Sequence, residues 1–170
     1  TDSPQTVNDV TPGVCMARQP IVDVGGRVVA YELLHREAAT DEACVVDGER
    51  ATAQVLTDAI LAWGLPTVSN GLPLFVNFTH RLLVDEAATL LPAPSVVIEL
   101  TEDVPANANT LAACRRLQAQ GYAIALDDFI EGSDAEQFLP FATYVKVDVL
   151  STPAHRLEAI AKRLRARKLK

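Results

Sequence analysis

Six polar residues of this 170-residue chain stand in or just after short apolar runs that read as strands. Glu32 falls near the end of the run 27–34, and Asn77 lies within Phe75-Val76-Asn77-Phe78. Glu99 closes Val96-Val97-Ile98-Glu99, and Asp127 and Asp128 follow Ala123-Ile124-Ala125-Leu126. Lys146 sits in Tyr144-Val145-Lys146-Val147-Asp148. Four carboxylates, one amide and one ammonium gathered in one mouth would be costly to bury without a purpose. Oxygen ligands in this number suit hard divalent cations such as Mg²⁺ or Mn²⁺. Two such ions suit phosphodiester hydrolysis, because they activate a water and hold phosphate oxygens. Lys146 would orient that water or neutralise developing charge. The residues alone thus point to a metal-assisted phosphoryl hydrolase.

The elements that must bring these groups together alternate along the chain. Runs over 16–24 and 27–34 flank Gly25-Gly26 and read as an antiparallel hairpin. A polar loop over 38–48 and a helix over 49–63 follow, the helix closed by Gly64 and Pro66. Strands are expected at 74–78, 96–100, 122–126 and 144–150, separated by helices at 79–91, from Asn107 or Asn109 to 120, and at 134–139. A last helix starts at Pro153 with Thr152 as N-cap. The later strands are apolar on both faces, the mark of a parallel sheet covered by helices. The fold class is therefore α/β, a TIM-like barrel with about six of its eight strands present, in which polar groups collect at the C-terminal strand ends. Residues 1–13 read as a disordered tail or linker, and 14–170 as the partial barrel domain.

Read in order, the polar motifs resemble those of the EAL family of cyclic-di-GMP phosphodiesterases. The resemblance is carried by Gln19-Pro20-Ile21-Val22-Asp23 with Tyr31-Glu32-Leu33-Leu34-His35-Arg36, by Phe75-Val76-Asn77-Phe78 and by Glu99-Leu100-Thr101-Glu102. Asp127-Asp128-Phe129 and Lys146-Val147-Asp148 complete it. The variant at 31–36 resembles the divergent subgroup fused to a downstream HDOD domain. The resemblance implies an (α/β)₈ barrel that cleaves cyclic-di-GMP to pGpG with two divalent metals. It implies Glu32, Asn77, Glu99, Asp127 and Asp128 as metal ligands, with Glu32, Asp128 and Lys146 catalytic. Gln19 and Arg36 would contact the ligand, and Glu102 would brace the loop after Asp128.

The sequence also departs from that pattern. Leu33 stands where Ala is usual, and Ile130-Glu131-Gly132-Ser133-Asp134-Ala135 replaces a Gly-Thr-Gly-Tyr-Ser-Ser loop. The lost glycine removes a cheap positive-φ position, and Glu131 is expected to bring a like charge toward Glu102. The pattern ends before a seventh and eighth strand. The expected function is a catalytically degenerate EAL domain serving as a regulatory or binding module. The alternative is an active phosphodiesterase when full length, and an unrelated barrel hydrolase or a mere scaffold ranks third. Structural readings stand beside most of these residues: a Glu32–Arg36 ion pair, a locally satisfied Asn77, an Asp127-Asp128 helix cap, an Asp partner for Lys146, and a surface or helix-start carboxylate at Glu102.

Composition bounds the rest. The net charge of -7 excludes a nucleic-acid polymer as a general partner, since phosphate backbones need clustered positive charge. The basic run 163–170 reads as the exposed end of a helix. Three cysteines without a Cys-x-x-Cys pair read as reduced thiols of a cytoplasmic protein. No apolar run approaches the ~20 residues of a membrane span, and the N-terminus lacks signal-peptide features. Expected partners are cyclic-di-GMP, a second copy of the chain, or a downstream signalling domain.

Overall fold

A computed structural model describes residues 15–36 and 65–170. The expected tail over 1–13, the loop over 38–48 and the helix over 49–63 lie outside them. Six strands form one sheet in sequence order: β1 (Cys15–Val22), β2 (Val28–Arg36), β3 (Leu74–Phe78), β4 (Val96–Leu100), β5 (Ala123–Leu126) and β6 (Tyr144–Val145). β1 and β2 are antiparallel and every later pair is parallel. The sheet curls into an open part-barrel, as the strand pattern implies.

The hairpin turn is built by Asp23. Its Oδ1 accepts the N–H groups of Gly25 (2.8 Å) and Arg27 (3.0 Å), and its Oδ2 accepts from the Arg27 guanidinium. Gly26 takes φ 77°, a conformation that glycine adopts without steric cost.

Strand periodicity separates two apolar layers. On the outer face Leu74, Val76, Phe78, Ile98, Leu100, Ile124 and Leu126 pack against helices and are almost fully buried. Their partners lie on α2 (His80–Val84), α3 (Ala108–Ala119) and α4 (Ala154–Ala166), and include Leu83, Cys114, Leu117, Ile160 and Leu164. A short α1 (Leu65–Ser69) adds Leu65. Each such fully buried side chain contributes about 1.5–3 kcal/mol. On the inner face Ala30, Phe75, Val97 and Ala125 form a second cluster with Tyr144 against it, its ring edge-on to Phe75 at 5.1 Å.

Several expected elements are shortened by tertiary contacts. The helix expected over 79–91 keeps its Thr79 cap but stops at Val84, and a 3-10 turn covers Ala87–Leu90. Glu86 between them is left-handed (φ 57°) and is held by Arg116 at 2.7 Å. The Tyr122 hydroxyl, buried, lies 2.8 Å from the Ala88 carbonyl and 2.6 Å from that of Leu91, fixing this irregular segment to β5's approach. The strand expected over 144–150 is only two residues long. Asp148 bends the chain by accepting the Leu150 N–H at 2.8 Å. The helix over 134–139 is a 3-10 turn, Asp134–Phe138. α4 begins at Ala154 rather than Pro153: Pro153 has ψ 140° and supplies only the carbonyl that starts the helix, so Thr152 is not its cap. Asn107 is the cap of α3, in a reciprocal capping box with Thr110.

Tyr122→Phe removes the buried donor from two buried carbonyls. The expected cost is about 1–3 kcal/mol in chemical denaturation; an unchanged midpoint would mean that packing alone holds the 87–91 segment.

Candidate functional site

The inner apolar layer is capped by the polar residues, two positions further along each strand. Phe75 is followed by Asn77, Val97 by Glu99, Ala125 by Asp127 and Tyr144 by Lys146, while Ala30 is followed by Glu32. Register completes the convergence: Asn77 pairs with Glu99, Glu99 with Ala125, and Gln19 with Glu32. The small Ala125 next to Glu99 leaves room for longer side chains above it. Lys146 stays anchored beyond the end of β6 because its N–H donates to the Leu126 carbonyl and its carbonyl accepts from Phe129, both at 2.9 Å.

Lys146 is the centre of the group. Its Nζ lies 2.8 Å from Glu32 Oε2 and 3.2 Å from Asp127 Oδ1, and it forms an ion pair with Glu99 Oε1. Asn77 Nδ2 donates to Glu32 Oε1 at 3.5 Å, a long contact. One positive charge thus faces three carboxylates. Glu99 is 0% exposed. Its Oε1 meets Lys146 without hydrogen-bond alignment, and its Oε2 and Asn77 Oδ1 are buried with no partner. Burial pushes the Glu99 carboxyl up to about 7 against the pull of Lys146, with Glu32 and Asp127 adding to the rise. Burial also opposes the charge of Lys146. The close contacts with Glu32 and Glu99 outweigh it and hold the ammonium well above its usual range.

A second acidic group adjoins the first. Ligand oxygens of Glu102, Asp127 and Asp128 all lie within 4.8 Å of one another. The Asp127 charge, then burial, then Glu102 and Asp148 raise the Asp128 carboxyl. Asp128 is left-handed (φ 42°), a conformation Asp tolerates better than most residues and one that turns the chain directly after β5. A cleft of about 330 Å³ opens beside Asp127, between the 101–106 segment and the 3-10 turn, lined in part by Glu102, Asp103, Asp134 and Phe138.

The structure therefore brings together Glu32, Asn77, Glu99, Asp127 and Lys146, with Asp128 and Glu102 alongside and Gln19 opposite Glu32. Arg36 ends β2 opposite Cys15, and its side chain is outside the description. One expectation about the loop after Asp128 changes: Glu102 makes no hydrogen bond to it. Glu131 pairs with Arg163 of α4 at 2.5 Å. Arg163 belongs to the run expected as a freely exposed helix end, and the unspent acids Glu131 and Glu136 were the only sequence signal for its partners.

Buried oxygens without donors and an excess of carboxylates over cations are the chemistry of a hard-cation site. The donor set fits Mg²⁺, Mn²⁺ or Ca²⁺, which take carboxylate and amide oxygens. No protein-family model matches the chain. It is 35% identical over 144 residues to the uncharacterized protein YuxH of Bacillus subtilis, covering 82% of this chain and 35% of YuxH. To the cyclic di-GMP phosphodiesterase CdgJ of Vibrio cholerae it is 30% identical over 149 residues, covering 86% of this chain and 34% of CdgJ. The chain spans about a third of the length of both curated relatives. The structure superposes on the Bacillus subtilis YkuI protein, which has an EAL domain and was solved with its substrate c-di-GMP and calcium. The TM-score is 0.66 at 20% identity, over 89% of this chain and 45% of that one. This is the EAL fold. The site described above occupies the C-terminal strand ends of that EAL fold, where parallel barrels place their chemistry. Among the described residues no helix is long and apolar enough to cross a membrane.

The raised Glu99 carboxyl makes a pH prediction. Between its ordinary 4.5 and about 7 the folded chain holds a proton that the unfolded chain has released. Its contribution favours folding most below about pH 4.5 and is lost as pH rises to about 7, a swing of roughly 3 kcal/mol. Glu99→Gln should flatten that slope in chelator-treated protein, measured by urea denaturation across the range. An identical slope in the variant would contradict the assignment.

Proposed function

We propose that this chain is the EAL-type module of a cyclic-di-GMP signalling protein and binds the dinucleotide's phosphodiester through divalent cations at the Lys146 cluster. The observation that carries this reading is the convergence of Glu32, Glu99 and Asp127 on one ammonium, with Asn77 Oδ1 and Glu99 Oε2 left buried and unpartnered. Glu32, Asn77, Glu99 and Asp127 would hold one cation, and Asp127, Asp128 and Glu102 supply oxygens for a second. A bound cation of this kind polarises phosphoryl oxygens and lowers the pKa of water. The protein's own part is to fix the carboxylates by strand register, to exclude water beneath them with Phe75, Val97 and Tyr144, and to hold a permanent positive charge at Lys146 Nζ. That charge would orient an attacking water or offset charge on the phosphate. Gln19, beside Glu32 on the hairpin, and Arg36, at the end of β2, are assigned to the ligand. Mg²⁺ or Mn²⁺ is the natural ion for such donors.

The role assigned is regulatory binding. The loop after Asp128 lacks the family's Gly-Thr-Gly-Tyr-Ser-Ser pattern and is held by an arginine on α4. The 31–36 variant supports a place among EAL domains joined to a downstream HDOD domain, with that domain or a second copy of the chain as partner. Active hydrolysis is the second reading, favoured by the collection of Glu32, Asn77, Glu99, Asp127 and Asp128 at one barrel mouth.

Calorimetric titration of cyclic-di-GMP in Ca²⁺, followed by a turnover assay in Mn²⁺, separates the readings. Binding without turnover is expected, and Glu32→Ala should weaken it by at least the roughly 10–100-fold that loss of a metal site's supporting groups costs. Production of pGpG would establish the enzyme instead, and absence of binding would refute both.

A further inference from the structure

The loop that follows Asp128 is tied down at both ends by hydrogen bonds. At its start Phe129 is buried and its N–H is held by the Lys146 carbonyl. At its end Arg163 reaches across from α4. Nη1 donates to Glu131 Oε1 at 2.5 Å and to Glu136 Oε1 at 3.0 Å, and Nη2 donates to Glu136 Oε2 at 2.7 Å. Glu136 Oε1 accepts in addition the N–H of Gly132 at 2.8 Å, and Gly132 turns the chain with φ 85°. Inside the loop, the backbone N–H and the hydroxyl of Ser133 both donate to the Ile130 carbonyl, at 3.2 and 2.7 Å. The hydrogen bonds from Arg163 bring the Glu136 carboxyl down to about 2. Arg163 is half-buried, unlike its neighbours Arg165 and Arg167.

Charge explains why such a clamp is needed. The loop carries Glu131, Asp134 and Glu136, and the site beside it carries Glu102, Asp127 and Asp128. Carboxylates on both sides repel, and a planar guanidinium with several donors bridges two of them, offsetting one of the charges while fixing their geometry. A lysine offers one compact charge and no such fork.

We propose that Arg163 is a positioning residue: through Glu131 and Glu136 it holds the loop, and with it Asp128, in the geometry that binds the divalent cation. The inference rests on the cation-binding reading above, and it links the last helix of the chain to the site. It also makes a prediction of unusual sign. Deleting a positive charge near a cation site should, by charge alone, strengthen cation binding. Loss of positioning should weaken it.

The test compares wild type with Arg163→Ala, Arg163→Lys and Arg165→Ala, the last removing the same charge from the same helix without touching the loop. Mn²⁺ alone is titrated by electron paramagnetic resonance of the free ion, and amide exchange is read over residues 130–136 without metal. Arg163→Ala is expected to weaken Mn²⁺ roughly 10–100-fold, the usual cost of losing a metal site's supporting partner, and to speed exchange at Gly132 and Ser133. Arg163→Lys should fall between, and Arg165→Ala should match wild type. Wild type and Arg163→Ala binding Mn²⁺ equally, or loop exchange unchanged in Arg163→Ala, would overturn the inference while leaving the cation site standing. Wild type that takes up no Mn²⁺ would overturn the cation reading and this inference with it.

Discussion

One ammonium facing three carboxylates is the interaction on which this structure turns. Lys146 meets Glu32, Glu99 and Asp127 at the open end of an apolar barrel lining. In that setting each unmatched charge costs several kcal/mol. A single lysine compensates only part of the charge, and the remainder is visible as the raised Glu99 carboxyl and the unpartnered oxygens of Glu99 and Asn77. A fold selected only for stability would replace such a cluster with apolar side chains. The cluster makes sense as a place where further positive charge arrives.

The sheet supplies the precision. Parallel register puts Asn77 beside Glu99 and Glu99 beside Ala125, and the period of two lifts Glu32, Asn77, Glu99, Asp127 and Lys146 onto the same inner face above Phe75, Val97 and Tyr144. The outer face is a separate apolar layer under the helices. Substitutions there will act on stability, whereas substitutions on the inner face will act on charge and ligand. The departure of the chain from β5 through a left-handed Asp128, and its capture by Arg163, extend this positioning beyond the strands.

Most of this was legible in the chain. The hairpin, the parallel order and the convergence of Glu32, Asn77, Glu99, Asp127 and Lys146 follow from apolar runs that end in polar residues. What was not legible is tertiary. The helix expected over 79–91 gives way where Tyr122 and Arg116, distant in sequence, hold Ala88, Leu91 and Glu86. The last strand shortens because Asp148 bonds its own backbone. Arg163 looked like a solvent-exposed helix cation because its partners lie 27 and 32 residues away, beyond any helical spacing.

A thermal melt with and without Mn²⁺ on wild type and Lys146→Met tests the central claim most directly. Removing the ammonium leaves the carboxylates uncompensated, so the metal-free variant should melt well below wild type. Mn²⁺ should raise both melting temperatures, because a ligand that binds only the folded state stabilises it, and should raise the variant's more. A variant and a wild type that both ignore millimolar Mn²⁺ would contradict the claim that this cluster is built for a cation.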